Sequence, residues 1–326
     1  MKKNVAIDKK PKITDKSVLT YNVKRYRDQL CSENINLDKK LNSGAMERVE
    51  FTHLMDKFDL ILFDAYGVLN RGAASIDGAV ATIDSCIQHG INFLVVSNNA
   101  SEKPKSVWQK LNKLGFAIKP EQIVTSGMAI KPYLRSSPYS GLPYLLIGTR
   151  QSADYYGEDP SRLLLNPPDS PLKTDKQPAY ILICSNRDYY GQTQQEVVEA
   201  ELKNRPLPML VANPDIIVQA NDTESVVVAG FTAYELNKKY NCSSIGIGKP
   251  FAPVYQLALE KYPHIAPNKI LMVGDSLTTD ILGGAAMGFS TCLTLSGIHG
   301  LEANTIETTC QKWAIKPDYI VNSIGG

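Results

Sequence analysis

Four apolar runs in this chain each end at or beside a polar residue, and an amphipathic segment follows each of them. The runs span residues 59–64, 91–97, 122–126 and 269–275. A short continuous apolar run is typical of a strand buried on both faces of a parallel sheet. Amphipathic segments between such strands complete βαβ units. The alternation therefore predicts an α/β fold with an open, doubly wound parallel sheet.

The pattern changes twice along the chain, which divides it into three parts. Residues 1–50 are lysine-rich, polar and weakly periodic, with one short helix predicted from Tyr21 to Leu30. Between residues 137 and 230, proline clusters separate further short strands, which indicates an inserted second domain. The sequence therefore predicts an N-terminal extension (1–50), a core domain (51–136 and 231–326) and a smaller inserted α/β domain (137–230).

The balance of charges argues against a nucleic-acid-binding protein. The chain of 326 residues has 35 Lys and Arg against 33 Asp and Glu, a net charge of +2, whereas nucleic-acid-binding domains are strongly basic. No apolar run approaches the roughly eighteen residues of a membrane-spanning helix. The six cysteines form no CxxC pair, which is typical of reduced thiols. We therefore expect a soluble, cytoplasmic protein without a nucleic-acid or membrane partner.

The polar residues at the strand ends are the first candidates for a ligand site. In an open α/β sheet, ligands bind outside the carboxyl ends of the strands, near the point where the strand order reverses. Asp64, Ser97 and Asp275 lie at such ends, and Lys249 follows another predicted strand. Two acids, a hydroxyl and a cation are typical of a site for Mg²⁺ and phosphate. Singly, each acid is equally well interpreted as a loop residue or a helix N-cap.

The order of these residues resembles the haloacid dehalogenase superfamily over about residues 58–300. The matching segments are Phe63–Leu69, Val95–Asn99, Gly248–Pro250 and Val273–Asp280. The chain is further similar to class IIA of this superfamily, the nitrophenyl-phosphatase-like and pyridoxal-phosphatase-like branch, through Ser97–Ser101, Thr125–Gly127 and Leu295–Gly297. The resemblance implies a Rossmann-like core, an α/β cap formed by the inserted domain, a small phosphorylated substrate and homodimerisation through the cap.

The resemblance also implies catalytic roles and a metal. Asp64 is the implied nucleophile, which attacks phosphorus and forms an aspartyl-phosphate. The other implied catalytic residues are Ser97, Lys249 and Asp280. The implied ligands of a Mg²⁺ ion are Asp64, the backbone carbonyl of Tyr66, and Asp275. Asp280 is expected to orient Lys249 or a metal-bound water, and its alternative is an acid that stabilises the helix N-terminus.

Four further residues are implied to bind substrate. Asn98 and Asn99 adjoin Ser97, where they would contact the phosphate or its leaving group, and one of them has the alternative of stabilising only the turn. Asn213 and Asp215 belong to an Asn-Pro-Asp turn of the inserted domain. A tight connection after a strand is an equally weighted interpretation of that turn.

Tyr66 is the main departure from the superfamily pattern. Its position, two residues after the nucleophile, usually holds a second aspartate that protonates the leaving group and then activates water. A tyrosine with an ordinary pKa near 10 is a poor base at neutral pH. Because general acid–base catalysis is worth typically 10² to 10⁴-fold, we expect weak turnover of ordinary phosphate esters. His299 is a candidate substitute for the missing acid, although a surface-loop histidine is the favoured interpretation.

Three functions are compatible with these residues. The favoured one is a Mg²⁺-dependent phosphohydrolase of low or specialised activity toward a small phosphorylated metabolite. The second is a protein that binds a phosphorylated ligand without turnover, and the third is another phosphoryl-transfer reaction or cleavage of a bond other than P–O. Retention of Asp64 favours the first and third, because binding alone needs no nucleophile.

Overall fold

A computed structural model describes residues 17–34, 36–156, 163, 176–191, 193–219, 225–298 and 305–326. Its largest sheet has seven strands, and every neighbouring pair is parallel. In spatial order the strands are β1 (Glu47–Arg48), β15 (Tyr319–Val321), β14 (Ser290–Thr294), β13 (Ile270–Gly274), β2 (Leu60–Phe63), β5 (Phe93–Ser97) and β6 (Ile123–Thr125). The four apolar runs thus form strands of one parallel sheet, as predicted, and they are neighbours in it.

A second, four-stranded sheet is also parallel throughout. Its order is β12 (Ser244–Gly246), β9 (Met209–Val211), β8 (Tyr180–Ile183) and β7 (Tyr144–Ile147). Two short antiparallel hairpins accompany the sheets: β3 (Asn70–Arg71) with β4 (Ala74–Ser75), and β10 (Ile217–Gln219) with β11 (Ser225–Val227). The four-stranded sheet is the sheet of the predicted cap.

Helices flank both sheets. The described helices are α1 (Ser17–Glu33), α2 (Leu37–Ser43), α3 (Ala79–Gln88), α4 (Pro104–Lys113), α5 (Ser126–Ser136), α6 (Arg150–Tyr156), α7 (Thr193–Asn204), α8 (Ala229–Tyr240), α9 (Ala252–Leu259), α10 (Leu282–Ala286) and α11 (Ile306–Trp313). None of them is both long and apolar enough to cross a membrane. The architecture is therefore a Rossmann-like α/β core with a separate cap sheet, the predicted fold class.

The alternation of side chains along β2 explains why its whole sequence is apolar. Ile61 and Phe63 belong to one buried cluster, and Leu60 and Leu62 belong to another. Successive side chains of a strand point to opposite faces, so both faces of the sheet are covered. The second cluster continues into the cap sheet through residues such as Leu146. The cap is thereby packed against the core through apolar contacts.

Two strands lie on the other side of the predicted domain boundaries. β1 falls within the predicted extension but pairs with β15 at the edge of the core sheet. β12 falls within the predicted core but pairs with β9 of the cap sheet. A strand of two or three residues is too short to show a periodic pattern in the sequence. Its pairing depends on which neighbouring strand the tertiary structure brings to it. The exact division into three parts stays a prediction.

The strand order reverses between β2 and β13. From β2 the chain proceeds to β5 and β6 on one side, and the later strands β13, β14 and β15 occupy the other side. Crevices at such a point bind ligands in doubly wound sheets. The carboxyl ends of β2 and β13 are followed directly by Asp64 and Asp275.

Candidate active site

Asp64 and Asp275 lie next to each other because the strands before them are paired. Phe63 is opposite Val273 in the register, and the Asp64 amide donates to the Val273 carbonyl at 2.8 Å. The amide of Ala65 donates to Asp64 Oδ1 at 2.8 Å, and the amide of Ile298 donates to Asp275 Oδ2 at 2.9 Å. Each carboxylate is therefore oriented by a backbone N–H group.

Lys249 joins the nucleophile candidate to Asp280. Its Nζ lies 2.7 Å from Asp64 Oδ1 and 2.7 Å from Asp280 Oδ1, and it donates to the Val96 carbonyl at 2.9 Å. The lysine side chain is 1% exposed. Lys249 therefore makes two close ion pairs and one hydrogen bond to a backbone carbonyl. Lys249 thus fixes Asp64 and carries the positive charge that both acids face.

Asp280 comes from a local irregularity after β13. Residues Leu277–Ile281 form a π-helical turn ahead of α10, and π-turns inside helices are frequent at functional sites. The side chain of Asp280 is fully buried, and its Oδ2 accepts from the Ser276 amide at 3.1 Å. The turn therefore directs Asp280 inward, toward Lys249.

Three carboxylates crowd this site. Asp64, Asp275 and Asp280 each offer an oxygen within 4.8 Å of the others. Burial raises the pKa of Asp64 to about 7, with Lys249 opposing and Asp280 adding to the shift. Burial, and then the charges of Asp64 and Asp280, raise the pKa of Asp275 well above its usual range. Burial alone would lower the pKa of Lys249, but the two acids beside it raise that pKa.

The residues present fit a Mg²⁺ ion. Hard carboxylate oxygens are its preferred protein ligands, and a divalent cation would relieve the repulsion that raises the Asp275 pKa. Two glycines leave room for this carboxylate: a Cβ added at Gly67 would lie 2.0 Å from Asp275 Oδ2, and one at Gly297 would lie 1.9 Å from it. Gly67 also has a φ of +87°. Backbone from two loops thus forms a close-fitting cradle around Asp275.

The segment after β5 has a side chain that connects the core to the cap. Asn98 Oδ1 accepts from the Lys249 amide at 2.7 Å, and Asn98 Nδ2 donates to the Lys249 carbonyl and to Asp215 Oδ1, each at 3.1 Å. Ser97 Oγ accepts from the Asn99 amide at 3.3 Å. Asn99 Oδ1 instead accepts from the amides of the next turn, at Ser101 and Glu102. Asn98 is therefore the asparagine that reaches across the site, and Asn99 caps a turn.

The Asn-Pro-Asp turn lies at the same crevice. Asn213 Oδ1 accepts from the Asp215 amide at 3.0 Å, which closes an Asx turn. Burial raises the pKa of Asp215 to about 6, opposed by Lys249 and by hydrogen bonds from Asn98 and Thr279. Thr279 was not among the predicted site residues. Its only sequence signal is its position between Asp275 and Asp280.

Tyr66 turns its hydroxyl toward the β3–β4 hairpin. Its Oη accepts from the Gly72 amide at 3.0 Å. Gly72 is the turn of that hairpin, so the tyrosine contributes to packing of the hairpin at the rim of the site. Tyr66 itself therefore presents no carboxyl group to the site in place of the usual aspartate. The candidate substitute His299 lies outside the described residues.

These residues line one cavity of about 560 Å³. It is bounded by all the predicted site residues except Lys249 and Asp280, which lie behind Asp64. Apolar residues that the sequence did not single out complete its wall, among them Leu19, Ile217 and Ile298. The volume is within the range of small-molecule sites. The cavity therefore accommodates a small ligand beside Asp64.

Two family profiles match the segments that contain these residues. The profile of the haloacid dehalogenase-like hydrolases matches residues 61–158, with Asp64 and Ser97. A second haloacid dehalogenase hydrolase-like profile matches residues 246–326, with Lys249 and Asp275. The chain belongs to the haloacid dehalogenase superfamily of hydrolases. The predicted superfamily is thereby confirmed.

Curated relatives and a solved structure place the chain among class IIA-like members of this superfamily. It is 27% identical to glycerol-3-phosphate phosphatase of Gallus gallus over 82% of this chain and 89% of the relative. It is 28% identical to chronophin of Mus musculus over 81% and 90% of the two chains. A Cytophaga hutchinsonii protein described as a "possible sugar phosphatase" superposes with a TM-score of 0.75 and 27% identity, over 86% of this chain and 99% of that one.

Proposed function

We propose that this protein is a Mg²⁺-dependent phosphohydrolase that acts on a small phosphorylated metabolite through an aspartyl-phosphate at Asp64. The observation that carries the proposal is the contact of Lys249 Nζ with Asp64 at 2.7 Å beside the cluster of Asp64, Asp275 and Asp280. A site that only binds a phosphorylated ligand needs no nucleophile, so Asp64 in the wall of the cavity favours a reaction. Lys249 favours the ionised form of Asp64, which is the form that can attack phosphorus.

The first step transfers the phosphoryl group to the protein. An oxygen of Asp64 attacks phosphorus, and the bond between phosphorus and the leaving-group oxygen breaks. Lys249 favours the ionised form of Asp64 despite its burial. The Ser97 hydroxyl and the backbone amide of Asn98 bind the phosphoryl oxygens in this proposal, and Asp280 positions Lys249.

The second step hydrolyses the aspartyl-phosphate and regenerates the free carboxylate of Asp64. Water attacks phosphorus, the bond between phosphorus and the Asp64 oxygen breaks, and inorganic phosphate leaves. Asn99, Asn213 and Asp215 line the same cavity as Asp64. We assign to them the binding of the remainder of the substrate.

Mg²⁺ would be held by Asp64, the Tyr66 carbonyl and Asp275. When bound, it would neutralise charge on the phosphoryl oxygens. When all three acids near Lys249 are ionised, they carry an excess of negative charge, which a phosphate dianion would increase. This excess is the reason to expect an absolute requirement for a divalent cation.

Tyr66 restricts the reaction. It stands in place of the usual carboxylic acid, and its hydroxyl is held at the β3–β4 hairpin by the Gly72 amide. We infer that the leaving group therefore takes its proton from water. Esters of acidic alcohols and phenols need that proton least, and we infer that they are the better substrates. The same feature supports the second candidate function, a phospho-ligand-binding protein without turnover.

Relatives support the substrate class. The names of curated relatives specify glycerol 3-phosphate and phosphoglycolate, two small phosphate monoesters. A cavity of about 560 Å³ suits a molecule of this class. Homodimerisation through the cap and a cytoplasmic location are further parts of this proposal.

Hydrolysis of an activated aryl phosphate tests the proposal. Turnover should require Mg²⁺ and should vanish in Asp64→Asn, which keeps the shape of the side chain. Turnover that persists in Asp64→Asn would contradict the proposed nucleophile. Binding of orthophosphate with Mg²⁺, in the absence of any turnover by the wild type, would support the binding protein instead.

A further inference from the structure

The helix α1 packs against the polypeptide that carries the site. Its buried residues Val23, Tyr26 and Leu30 are spaced as one face of a helix. They share a buried cluster with the turn Leu277–Ile281, which contains Asp280. The helix α1, from the lysine-rich N-terminal part of the sequence, thus packs against the turn that carries Asp280.

The same helix also contacts the cap. At its start, Val18 and Leu19 pack against an apolar cap cluster that includes Phe231. One turn later, the ring of Tyr21 meets the ring of Tyr234 edge-on, with centroids 5.2 Å apart. The helix therefore bridges the core and the cap, beside the crevice between them.

Tyr26 connects this helix to the Asn-Pro-Asp turn. Its Oη donates to the Pro214 carbonyl at 3.0 Å in a buried hydrogen bond, and its ring packs edge-on against Phe251, with centroids 5.3 Å apart. Pro214 immediately precedes Asp215, whose carboxylate accepts from Asn98. Asn98 in turn bonds to both backbone groups of Lys249. Two sets of hydrogen bonds, joined by the backbone between Pro214 and Asp215, thus connect α1 to the active-site lysine.

Leu19 reaches the cavity itself. It lines the same space as Asp64 and Ser97, together with the cap residues Ile217 and Val218. An apolar side chain at this place cannot bind the phosphate, because a phosphate needs donors or cations. Leu19 can therefore contact only an apolar part of a ligand outside its phosphate group.

We propose that α1 is a component of the active site, in which Tyr26 is a positioning residue for the Asn-Pro-Asp turn and Leu19 determines which leaving groups fit. The inference rests on the proposed phosphate-ester site and adds to it an apolar contact for the leaving group. The substrates that this wall selects carry an apolar group within reach of Leu19.

The first experiment compares Tyr26→Phe with Tyr21→Phe in the full chain. Both changes remove one hydroxyl from α1, but only Tyr26 bonds to the turn. We expect Tyr26→Phe to lower the affinity for phenylphosphonate, measured by calorimetry with Mg²⁺, and kcat/KM for phenyl phosphate, each by about fivefold to tenfold, the value of one buried hydrogen bond. Tyr21→Phe should match the wild type within twofold.

A structural role alone would give a different result. If Tyr26→Phe lowers the melting temperature but leaves both the phosphonate affinity and kcat/KM at the values of Tyr21→Phe, the positioning role of Tyr26 is overturned. The calorimetric measurement needs no turnover. A wild type that binds the phosphonate but hydrolyses nothing would refute the proposed phosphohydrolase, and the binding comparison would still decide the role of α1.

The second experiment varies the size of residue 19. We expect Leu19→Ala to shift the affinity ratio of naphthylphosphonate to phenylphosphonate toward the larger compound by about fivefold, and Leu19→Phe to shift it in the opposite direction, since one buried methylene is worth roughly a factor of four. Val18→Ala is the matched control, because Val18 packs on the cap without lining the cavity. If the wild type and the three variants all gave the same ratio of naphthylphosphonate to phenylphosphonate affinity, the proposed role of Leu19 would be overturned.

Discussion

Asp64 depends on Lys249 for its charge. Burial favours the neutral carboxyl and raises its pKa to about 7, whereas the ammonium at 2.7 Å favours the carboxylate. The identity of these residues was predictable, because each lies in a short motif with a characteristic order. Their contacts were not, since the motif does not state that Lys249 pairs with both Asp64 and Asp280 and donates to the Val96 carbonyl.

The substitution Tyr66→Asp should increase turnover of poor leaving groups. It places a carboxyl group two residues after the nucleophile, where general acid–base catalysis is worth typically 10² to 10⁴-fold. We expect a gain of at least about tenfold in kcat for an alkyl phosphate and a smaller gain for an aryl phosphate. The measurement is a comparison of kcat over leaving groups of decreasing acidity.

Tyr66→Phe is the control for this gain. It removes the bond between Tyr66 Oη and the Gly72 amide without supplying an acid. An equal gain in Tyr66→Phe would show that a loosened hairpin, rather than a new acid, increases the rate.

Asp215 should make the metal-free protein less stable as the pH rises. Its folded-state pKa of about 6 exceeds its ordinary value of 3.8, so between these values the native state binds more protons than the unfolded state. The free energy of unfolding therefore falls as the pH rises through this window, by at most about 3 kcal/mol. We expect Asp215→Asn to lack this contribution, measured by urea unfolding in EDTA from about pH 4.5 to 6.5.

The difference in the free energy of unfolding between the wild type and Asp215→Asn reports the titration of Asp215 alone, because the other carboxylates titrate in both proteins. Asp215→Asn should gain stability relative to the wild type as the pH rises. Parallel curves would show that Asp215 does not titrate in this window.

At the scale of elements, the loops after β2 and β14 determine the position of Asp275. Gly67 has a left-handed backbone, and its Cα lies against the Asp275 carboxylate. We expect Gly67→Ala to weaken Mg²⁺ binding by about tenfold or more, because the new methyl group must displace a carboxylate that the ion needs. The measurement is a Mg²⁺ titration by calorimetry.

Gly90→Ala is the matched control for Gly67→Ala. Gly90 also has a positive φ, of +66°, but an added Cβ would meet nothing within 4 Å. Both variants carry a backbone strain of roughly 1 kcal/mol, so both should lose some stability. Equal Mg²⁺ affinities in the two variants would contradict the proposed place of the metal.

The four core strands with continuous apolar runs were predictable from those runs, whereas their spatial order, and with it the switch point, came from the structure. The pairing of β1 and β12 was not predictable, because strands of two or three residues have no pattern. The helix α1 extends from Ser17 to Glu33, beyond the predicted Tyr21 to Leu30. Its contacts with the site are made by a few apolar residues. These residues give no clear periodic pattern within a polar, lysine-rich sequence, so the contacts could not be predicted.

At the scale of the whole molecule, metal binding should stabilise the fold. An ion that binds only the native state adds RT ln(1 + [L]/Kd), about 2.7 kcal/mol at a concentration of one hundred times Kd. We expect Mg²⁺ to raise the melting temperature of the wild type and not that of Asp275→Asn. Differential scanning fluorimetry with and without Mg²⁺ measures both.

The stability of Asp275→Asn relative to the wild type, measured without metal, is a further check. Burial and the charges of Asp64 and Asp280 raise the pKa of Asp275, so its neutral amide analogue removes an unfavourable charge. Asp275→Asn should therefore be at least as stable as the wild type in EDTA. A lower melting temperature in EDTA would show that Asp275 supports the fold by another route.

The central claim is that phosphate becomes covalently attached to Asp64. Its most direct test is an acid quench during turnover of an aryl phosphate with Mg²⁺, followed by mass spectrometry of the peptide that contains Asp64. We predict an increase of one phosphoryl group on Asp64, absent in EDTA and in Asp64→Asn. Turnover by the wild type with the phosphoryl group on another residue, or on none under conditions that trap acyl phosphates, would contradict the account.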